Sequence, residues 1–224
     1  MRLLRPRDAR RPAMTRPAAA IAAAAAAVFT ALVTLDVLIG GPLRHLDGQT
    51  FAGGLPPRTG ARHWFWRTVV NGGQYWLVGG LAALAALLAA WRRRDAWLPV
   101  RAALWLAATE LAVRAGQLAT ARTPPRTGHD LLFQDGYLSY PSGHAANAAA
   151  CLPVIALLTG AGRAWTIAAH ALAIGVAAAT VALGYHWPTD ALAGWALGVL
   201  SAALARLIIP GRRRDRAAED PPAP

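Results

Sequence analysis

Long apolar runs dominate the pattern of hydrophobic and polar positions along the chain. Six such runs hold about 16 to 23 residues with few charges, close to the roughly 20 residues that an α-helix needs to cross the hydrocarbon of a bilayer. They are residues 17–39, 74–91, 97–119, 145–160, 164–183 and 190–209. The pattern predicts an all-α fold, an integral membrane bundle of six transmembrane helices within residues 17–209.

The segments outside these runs are polar or rich in turn residues. Residues 1–16 form a basic N-terminal segment, and residues 210–224 are charged and Pro-rich, which predicts a disordered tail. Residues 40–73 contain several Gly and Pro pairs and are predicted to form a long loop. Within this loop, residues 62–67 mix aromatic and cationic side chains, as is typical of segments that lie at a membrane interface. This segment is predicted either to anchor the protein at the interface or to contact an anionic lipid headgroup.

The formal net charge of +12 is carried by arginine, because all 23 basic residues are Arg. In a soluble protein such a charge would suggest nucleic acid. Here its placement follows the excess of positive charge on the cytoplasmic loops of membrane proteins. With a cytoplasmic N-terminus, the cytoplasmic segments hold 14 arginines, the outer loops 6 and the helices 3. This distribution predicts a multi-pass protein of the cell membrane with both termini cytoplasmic, and a lipid bilayer rather than nucleic acid as its partner.

Two polar motifs interrupt the apolar pattern. The sequence YPSGH at residues 140–144 precedes the fourth run, and GYHWPTD at residues 184–190 lies between the fifth and the sixth. Because two helices separate the motifs, both are expected at the same face of the membrane, the extracytoplasmic one.

These motifs hold the groups that phosphoryl transfer needs, which are a nucleophile, an acid and N–H dipoles or cations around the phosphoryl oxygens. Ser142, Gly143 and His144 are predicted to open a helix, whose N-terminus favours an anion. His144 is placed to protonate a leaving oxygen. His186 and Asp190 are four residues apart at the start of another helix, where the carboxylate can accept a hydrogen bond from one imidazole nitrogen and leave the other free to attack phosphorus.

The two motifs resemble the signature of the type-2 phosphatidic acid phosphatase and haloperoxidase superfamily. That signature has three parts, which are Lys, six residues and Arg-Pro; Pro-Ser-Gly-His; and Ser-Arg, five residues, His, three residues and Asp. The second part is complete at residues 141–144, and the third matches at His186 and Asp190. The resemblance covers about residues 20–209. It implies metal-independent dephosphorylation of a lipid phosphate without a cofactor, with His186 as the nucleophile, Asp190 as its orienter and His144 as the acid.

The sequence departs from this signature at its phosphate-binding cations. Ala179-Thr180 occupies the position of Ser-Arg in the third part. The first part has no lysine and no Arg-Pro pair; Arg122 is the best match for its arginine, and Gln117 or Arg114 lies near the position of the lysine. Losing one charge-assisted contact weakens binding or turnover roughly ten- to a hundredfold, unless Arg114 or Arg126 replaces it. The predicted phosphate-binding residues are Arg122, Ser142, Gly143, Arg114 and Arg126.

The sequence as a whole predicts a membrane phosphatase that hydrolyses a lipid phosphate or prenyl diphosphate at the outer face through a phosphohistidine intermediate. Polyprenyl phosphates, phosphatidic acid and phosphatidylglycerol phosphate all fit, and the sequence does not choose among them. Two alternatives stay open: a lipid phosphotransferase that uses the same histidine, and a catalytically inactive membrane protein that binds a lipid phosphate. The sequence predicts no oligomeric state.

Overall fold

The computed structural model describes residues 15–209, and within them it contains helices and no strand. The α-helices are α1 (Arg16–Ile39), α2 (Pro42–Thr50), α3 (Gly60–Val70), α4 (Tyr75–Arg93), α5 (Leu98–Thr120), α6 (Gly143–Thr159), α7 (Arg163–Ala182) and α8 (Pro188–Ile208), with short 3₁₀ turns at Asn71–Gly73 and Pro125–Thr127. The six apolar runs coincide with α1 and α4 to α8. The prediction of an all-α fold is therefore confirmed.

Four of these helices, α1, α4, α7 and α8, are long and apolar enough to cross a membrane. The helix α6 is apolar but has 17 residues, and α5 carries Arg101, Glu110 and Arg114 among its 23 residues. Six spans and cytoplasmic termini therefore stay predictions. The predicted tail at residues 210–224, and all but the end of the basic segment at residues 1–16, lie outside the described residues.

The prediction of a loop over residues 40–73 was wrong in its secondary structure, because this segment contains α2 and α3. The carboxylate of Asp36 accepts hydrogen bonds from the backbone N–H groups of Leu43 (3.3 Å) and Arg44 (2.9 Å), at the N-terminus of α2. Such a carboxylate satisfies N–H groups that have no partner within the helix. Short helices of this kind are held by contacts from outside, which local periodicity does not reveal.

The helices α6 and α8 approach each other closely through glycine. A Cβ atom on Gly194 would collide with the backbone oxygen of Ser142, and one on Gly198 would collide with that of Ala146. These two glycines are four residues apart and so lie on one face of α8, an arrangement that lets helices pack backbone to backbone. This contact sets the first turn of α8 beside the first turn of α6, where the two motifs lie.

Small apolar residues fill the core between α4, α5, α6 and α8. The largest cluster includes Val78, Ala82, Ala86, Leu98, Ala102, Trp105, Ala150, Cys151, Val154, Leu158, Ala202 and Ala205. Within it the indole N–H of Trp105 donates to the hydroxyl of Ser201 at 2.8 Å, so this buried polar group has a partner on another helix. The cluster fixes the four helices against one another below the motifs.

Candidate active site

The two polar motifs meet at one end of the helix bundle, as their predicted placement on the same face requires. The backbone N–H of Ser142 donates to the backbone oxygen of Asp190 at 2.9 Å. The imidazole rings of His144 and His186 lie 6.5 Å apart between their centroids. The first turn of α6 and the segment that leads into α8 therefore present both histidines to the same space.

His186 is oriented through its Nδ1 atom, which lies 2.9 Å from the backbone oxygen of Ser139. A carbonyl oxygen can only accept, so this hydrogen bond requires the proton on Nδ1 and leaves Nε2 as the unprotonated nitrogen. The Oδ2 atom of Asp190 lies 3.5 Å from Nδ1. The contact that fixes the tautomer therefore comes from Ser139, whereas the sequence had predicted that Asp190 makes it. The carboxylate of Asp190 acts on the ring through its charge.

Asp190 is fully buried and both of its oxygens are engaged. Oδ2 accepts from the hydroxyl of Ser139 at 2.5 Å and from the backbone N–H of Trp187 at 3.0 Å. Oδ1 accepts from Nη1 of Arg122 at 2.7 Å. The bond to Trp187 caps the N-terminus of α8 with a carboxylate, which the helix dipole also favours. Asp190 therefore joins the histidine to a buried ionic cluster behind it.

Arg122 is the centre of that cluster, and its side chain is fully buried. Nε and Nη2 donate to the two carboxylate oxygens of Asp130 at 2.8 and 2.9 Å. Nη1 donates to Thr189 and Asp190, both at 2.7 Å, and Nη2 also donates to Asp47 at 2.7 Å. A guanidinium has five N–H donors, so every one is used. The predicted role of Arg122 in binding substrate phosphate finds no support in this geometry, because no donor is left for a phosphate.

Two guanidinium groups face three carboxylates in the cluster, since Arg44 also donates to Asp130 at 2.8 Å. Burial raises the pKa of Asp130, but hydrogen bonds from Arg122 and Arg44 outweigh it and hold that pKa below its usual range. Burial raises the pKa of Asp47 in spite of hydrogen bonds from Thr189 and Arg122. Within residues 15–209, no group of three or more His, Cys, Asp or Glu is arranged to hold a metal ion.

The N-terminus of α6 offers backbone donors to an anion. The hydroxyl of Ser142 accepts from the N–H of Ala145 at 3.4 Å, and the side chain is fully buried, so Ser142 serves as the helix cap. The N–H groups of Gly143 and His144 have no acceptor among the described residues. Free N–H groups at the start of a helix are well suited to bind phosphate.

The other predicted cations make no contact with the histidines. Arg114 is exposed on α5, where its charge acts on Glu110. Arg126 is exposed on the 3₁₀ turn. Neither forms a hydrogen bond or ion pair with another residue in the range 15–209. Gln117 is buried and donates from its amide to the backbone oxygen of Pro141 at 3.2 Å.

Position 180, where the family signature holds arginine, is fully buried and occupied by Thr180. Its hydroxyl donates to the backbone oxygen of Ala177 at 2.7 Å. Its own backbone oxygen accepts from the N–H groups of Tyr185 at 2.9 Å and His186 at 3.3 Å. Position 180 therefore supports the backbone behind the histidine but carries no charge.

Sequence reasoning missed four residues that hold the site together: Ser139, Asp47, Asp130 and Thr189. Ser139 and Thr189 were within reach, because each lies beside or inside a motif. Asp47 and Asp130 were harder to identify from the sequence. The available indication was that they are acidic residues in segments expected at the same face of the membrane as the motifs. Arg67 on α3 was predicted only as part of the aromatic and cationic segment 62–67 and not as a neighbour of the motifs; its Nη1 donates to the hydroxyl of Tyr185 at 3.1 Å.

A cavity of about 320 Å³ opens beside the site. Its lining consists of Thr50, Phe51, Gly54, Pro56, Arg62, Val181 and Ala182. The ring of Phe51 meets that of Trp187 edge to face, with centroids 5.6 Å apart. The cavity thus shares a wall with the residue that follows His186.

Comparison with known proteins gives one family and one similar structure. The sequence model of the PAP2 superfamily matches residues 99–214, a range that includes α5 to α8 and more than half of the chain. The crystal structure of the first transmembrane PAP2 type phosphatidylglycerolphosphate phosphatase from Bacillus subtilis is similar, with a TM-score of 0.54 and 21% sequence identity. The similarity covers 92% of this chain and 95% of that one, and at this identity it concerns the fold. A comparison with curated proteins found no match.

Proposed function

This chain belongs to the PAP2 superfamily, and we propose that it is a membrane phosphatase that releases phosphate from a lipid phosphate or prenyl diphosphate. The family resemblance drawn from residues 141–144, His186 and Asp190 is confirmed by the match. The observation that carries the proposal is the orientation of His186. Its Nδ1 proton is committed to the backbone of Ser139 at 2.9 Å, and its Nε2 is left for attack beside a second histidine.

In the first step, Nε2 of His186 attacks phosphorus, the bond to the leaving oxygen breaks, and that oxygen takes a proton from His144. The centroids of the two rings lie 6.5 Å apart, and the proposal places the phosphoryl group between the rings. The ring of His186 becomes positively charged as the N–P bond forms. The carboxylate of Asp190, 3.5 Å from Nδ1, stabilises that charge.

In the second step, water attacks the phosphohistidine. His144 takes the proton from the water, the N–P bond breaks, and inorganic phosphate leaves while His186 returns to its neutral form. The free N–H groups of Gly143 and His144 bind the phosphoryl oxygens in both steps, where the developing negative charge is largest. The net reaction consumes one water for each phosphate released.

The proposal places the reaction at the extracytoplasmic face of the cell membrane. Supporting it are the excess of arginine on the predicted cytoplasmic segments and the apolar helices that lead away from the motifs. At that face a lipid can keep its chains in the bilayer while its phosphate reaches the histidines. Arg114 and Arg126 stay proposed as auxiliary cations that attract the anionic substrate.

The test is phosphate release by the detergent-purified protein on a panel of lipid mono- and diphosphates, with EDTA present. We expect release that survives EDTA, falls to background in His186→Ala and is retained in His45→Ala. His45 is a matched control because it is an exposed histidine on α2 whose side chain makes no hydrogen bond within residues 15–209. Undiminished release by His186→Ala would rule out the phosphohistidine mechanism.

A second candidate is an inactive membrane protein that binds a lipid phosphate. The observations that favour it are the uncharged Thr180 and the saturated guanidinium of Arg122. Tight binding of a lipid phosphate with no release across the whole panel would support it. A new phospholipid in place of free phosphate, formed when lipid alcohols are supplied, would instead identify a phosphotransferase.

A further inference from the structure

A phosphate held between His144 and His186 carries negative charge, which a nearby cation would stabilise. The arginines expected from the family signature do not supply that cation. Arg122 has no free donor, because carboxylates and Thr189 take all five. Position 180 holds a buried threonine. The site as assembled from the motifs alone therefore contains backbone dipoles and no free guanidinium.

Arg67 on α3 also bonds to a residue of the second motif, and it lies outside the buried ionic cluster. Its Nη1 donates to the hydroxyl of Tyr185 at 3.1 Å, next to the nucleophile in the chain. The side chain is exposed, and its other N–H groups make no hydrogen bond within the described part of the chain. Arg67 therefore bonds to the residue beside His186 and still has donors to offer.

Two anchors fix the position of α3, which carries Arg67. On α3, Val70 and its neighbours Trp66 and Val69 pack against Ala179 and Leu183 at the end of α7. This contact holds α3 on the helix that leads into the second motif. Because such apolar packing is buried, it fixes the direction from which α3 approaches.

The second anchor is the 3₁₀ turn that follows α3. Gly73 lies so close to the start of α6 that a Cβ atom there would collide with the backbone oxygen of His144. A glycine is required where two backbones approach in this way. The helix that carries Arg67 is therefore anchored both to the end of α7 and to the start of α6.

From this placement we infer that Arg67 binds the phosphoryl oxygens of the substrate. Arg67 on α3 thus takes the phosphate-binding role of the arginine that the family signature places at position 180 on α7. The inference rests on the proposed function of the site. Tyr185 links the two positions, since its backbone N–H bonds to Thr180 and its hydroxyl bonds to Arg67. The planar fork of a guanidinium can hold two phosphoryl oxygens at once, which an ammonium group cannot do.

The same helix supplies a matched control. Arg62 is also an exposed arginine of α3, but it lines the neighbouring cavity with Val181 and Ala182. It forms no hydrogen bond or ion pair within the described residues. A general attraction of anionic lipid to α3 would involve Arg62 and Arg67 alike, whereas a phosphate contact at the histidines involves Arg67.

The experiment measures two quantities on the full-length protein in detergent: the affinity for inorganic phosphate by titration calorimetry, and kcat and KM for a lipid phosphate. We expect Arg67→Ala to weaken phosphate binding and lower kcat/KM about ten- to a hundredfold, the loss of one charge-assisted contact. Arg67→Lys should recover part of the loss. Tyr185→Phe should have a smaller effect, because it frees the guanidinium without removing it. Arg62→Ala should match the unaltered protein.

Equal phosphate affinity in Arg67→Ala and the unaltered protein would overturn the inference, and so would equal losses in Arg62→Ala and Arg67→Ala. A failure to detect saturable phosphate binding by the unaltered protein would also overturn it. The proposed function has a separate readout: phosphate binding that depends on Arg67, without turnover of any lipid, would uphold the inference and refute the phosphatase. The thermal unfolding temperature of Arg67→Ala should be unchanged, which separates lost binding from lost folding.

Discussion

Arg122 bonds to the carboxylate beside His186 and Arg67 bonds to the residue that precedes His186, but the surroundings of the two arginines differ. Arg122 is fully buried and gives all five donors to the protein itself, whereas Arg67 is exposed and makes a single hydrogen bond. A buried guanidinium with complete partners is a fixed part of the scaffold, because moving it would leave uncompensated charges behind. An exposed one can exchange water for a ligand at small cost. The arginine nearest the family's expected place is therefore part of the scaffold behind His186, whereas Arg67 keeps N–H groups without a partner among the described residues.

The largest effect should follow from removing Arg122. Arg122→Met leaves Asp47, Asp130 and Asp190 without their common partner, and breaking a buried ion pair costs about 3–5 kcal/mol. We expect a lower thermal unfolding temperature in detergent together with loss of turnover. Arg67→Ala, by contrast, should stay within about 0.5 kcal/mol of the unaltered protein, as exposed substitutions usually do. An Arg122→Met protein of normal stability would contradict the scaffold role.

A second comparison separates stability from catalysis within the cluster. Asp47 and Asp190 are both fully buried and both accept from Arg122, but only Asp190 lies near the ring of His186. Asp190→Asn should lower kcat by about a hundredfold or more, since the charge that stabilises the cationic ring is lost. Asp47→Asn should cost about 1–3 kcal/mol of stability while the folded fraction keeps its turnover. Equal kcat values for the two variants would show that Asp190 has no special role.

The smallest effect concerns pH and Asp130. The folded pKa of Asp130 is lowered, so its contribution to stability is fully present above the ordinary Asp value of about 3.9 and is lost as pH falls through the folded value. The unfolding temperature of the unaltered protein should drop more than that of Asp130→Asn between about pH 5 and pH 3. Asp47 changes the stability of the fold with pH in the opposite direction, because its pKa is raised. The informative quantity is therefore the difference between the two proteins, and parallel pH curves would show that Asp130 contributes nothing.

The predictions from sequence agree with the structure where the interactions are local along the chain, and they fail where the interactions join distant residues. The six apolar runs became helices because hydrophobic length and helix formation are local properties, and the GxxxG-like spacing of Gly194 and Gly198 could be read in the same way. The helices α2 and α3 were missed because they are short, lie in a segment punctuated by Gly and Pro, and are held by contacts with distant residues. The docking of α3 through Val70 on Ala179 has no counterpart in the local sequence pattern.

The sequence by itself determined the helical class and the meeting of His144, His186 and Asp190 at one end of the bundle, since two intervening helices return the chain to the same side. Only the tertiary structure decided which groups surround these three residues. Arg122 finds Asp47 across 75 residues and Asp190 across 68, and Arg67 finds Tyr185 across 118. The physical reason is that the partner of a charged side chain depends on distances and burial in the folded protein. Neither quantity can be derived from the spacing of residues along the sequence.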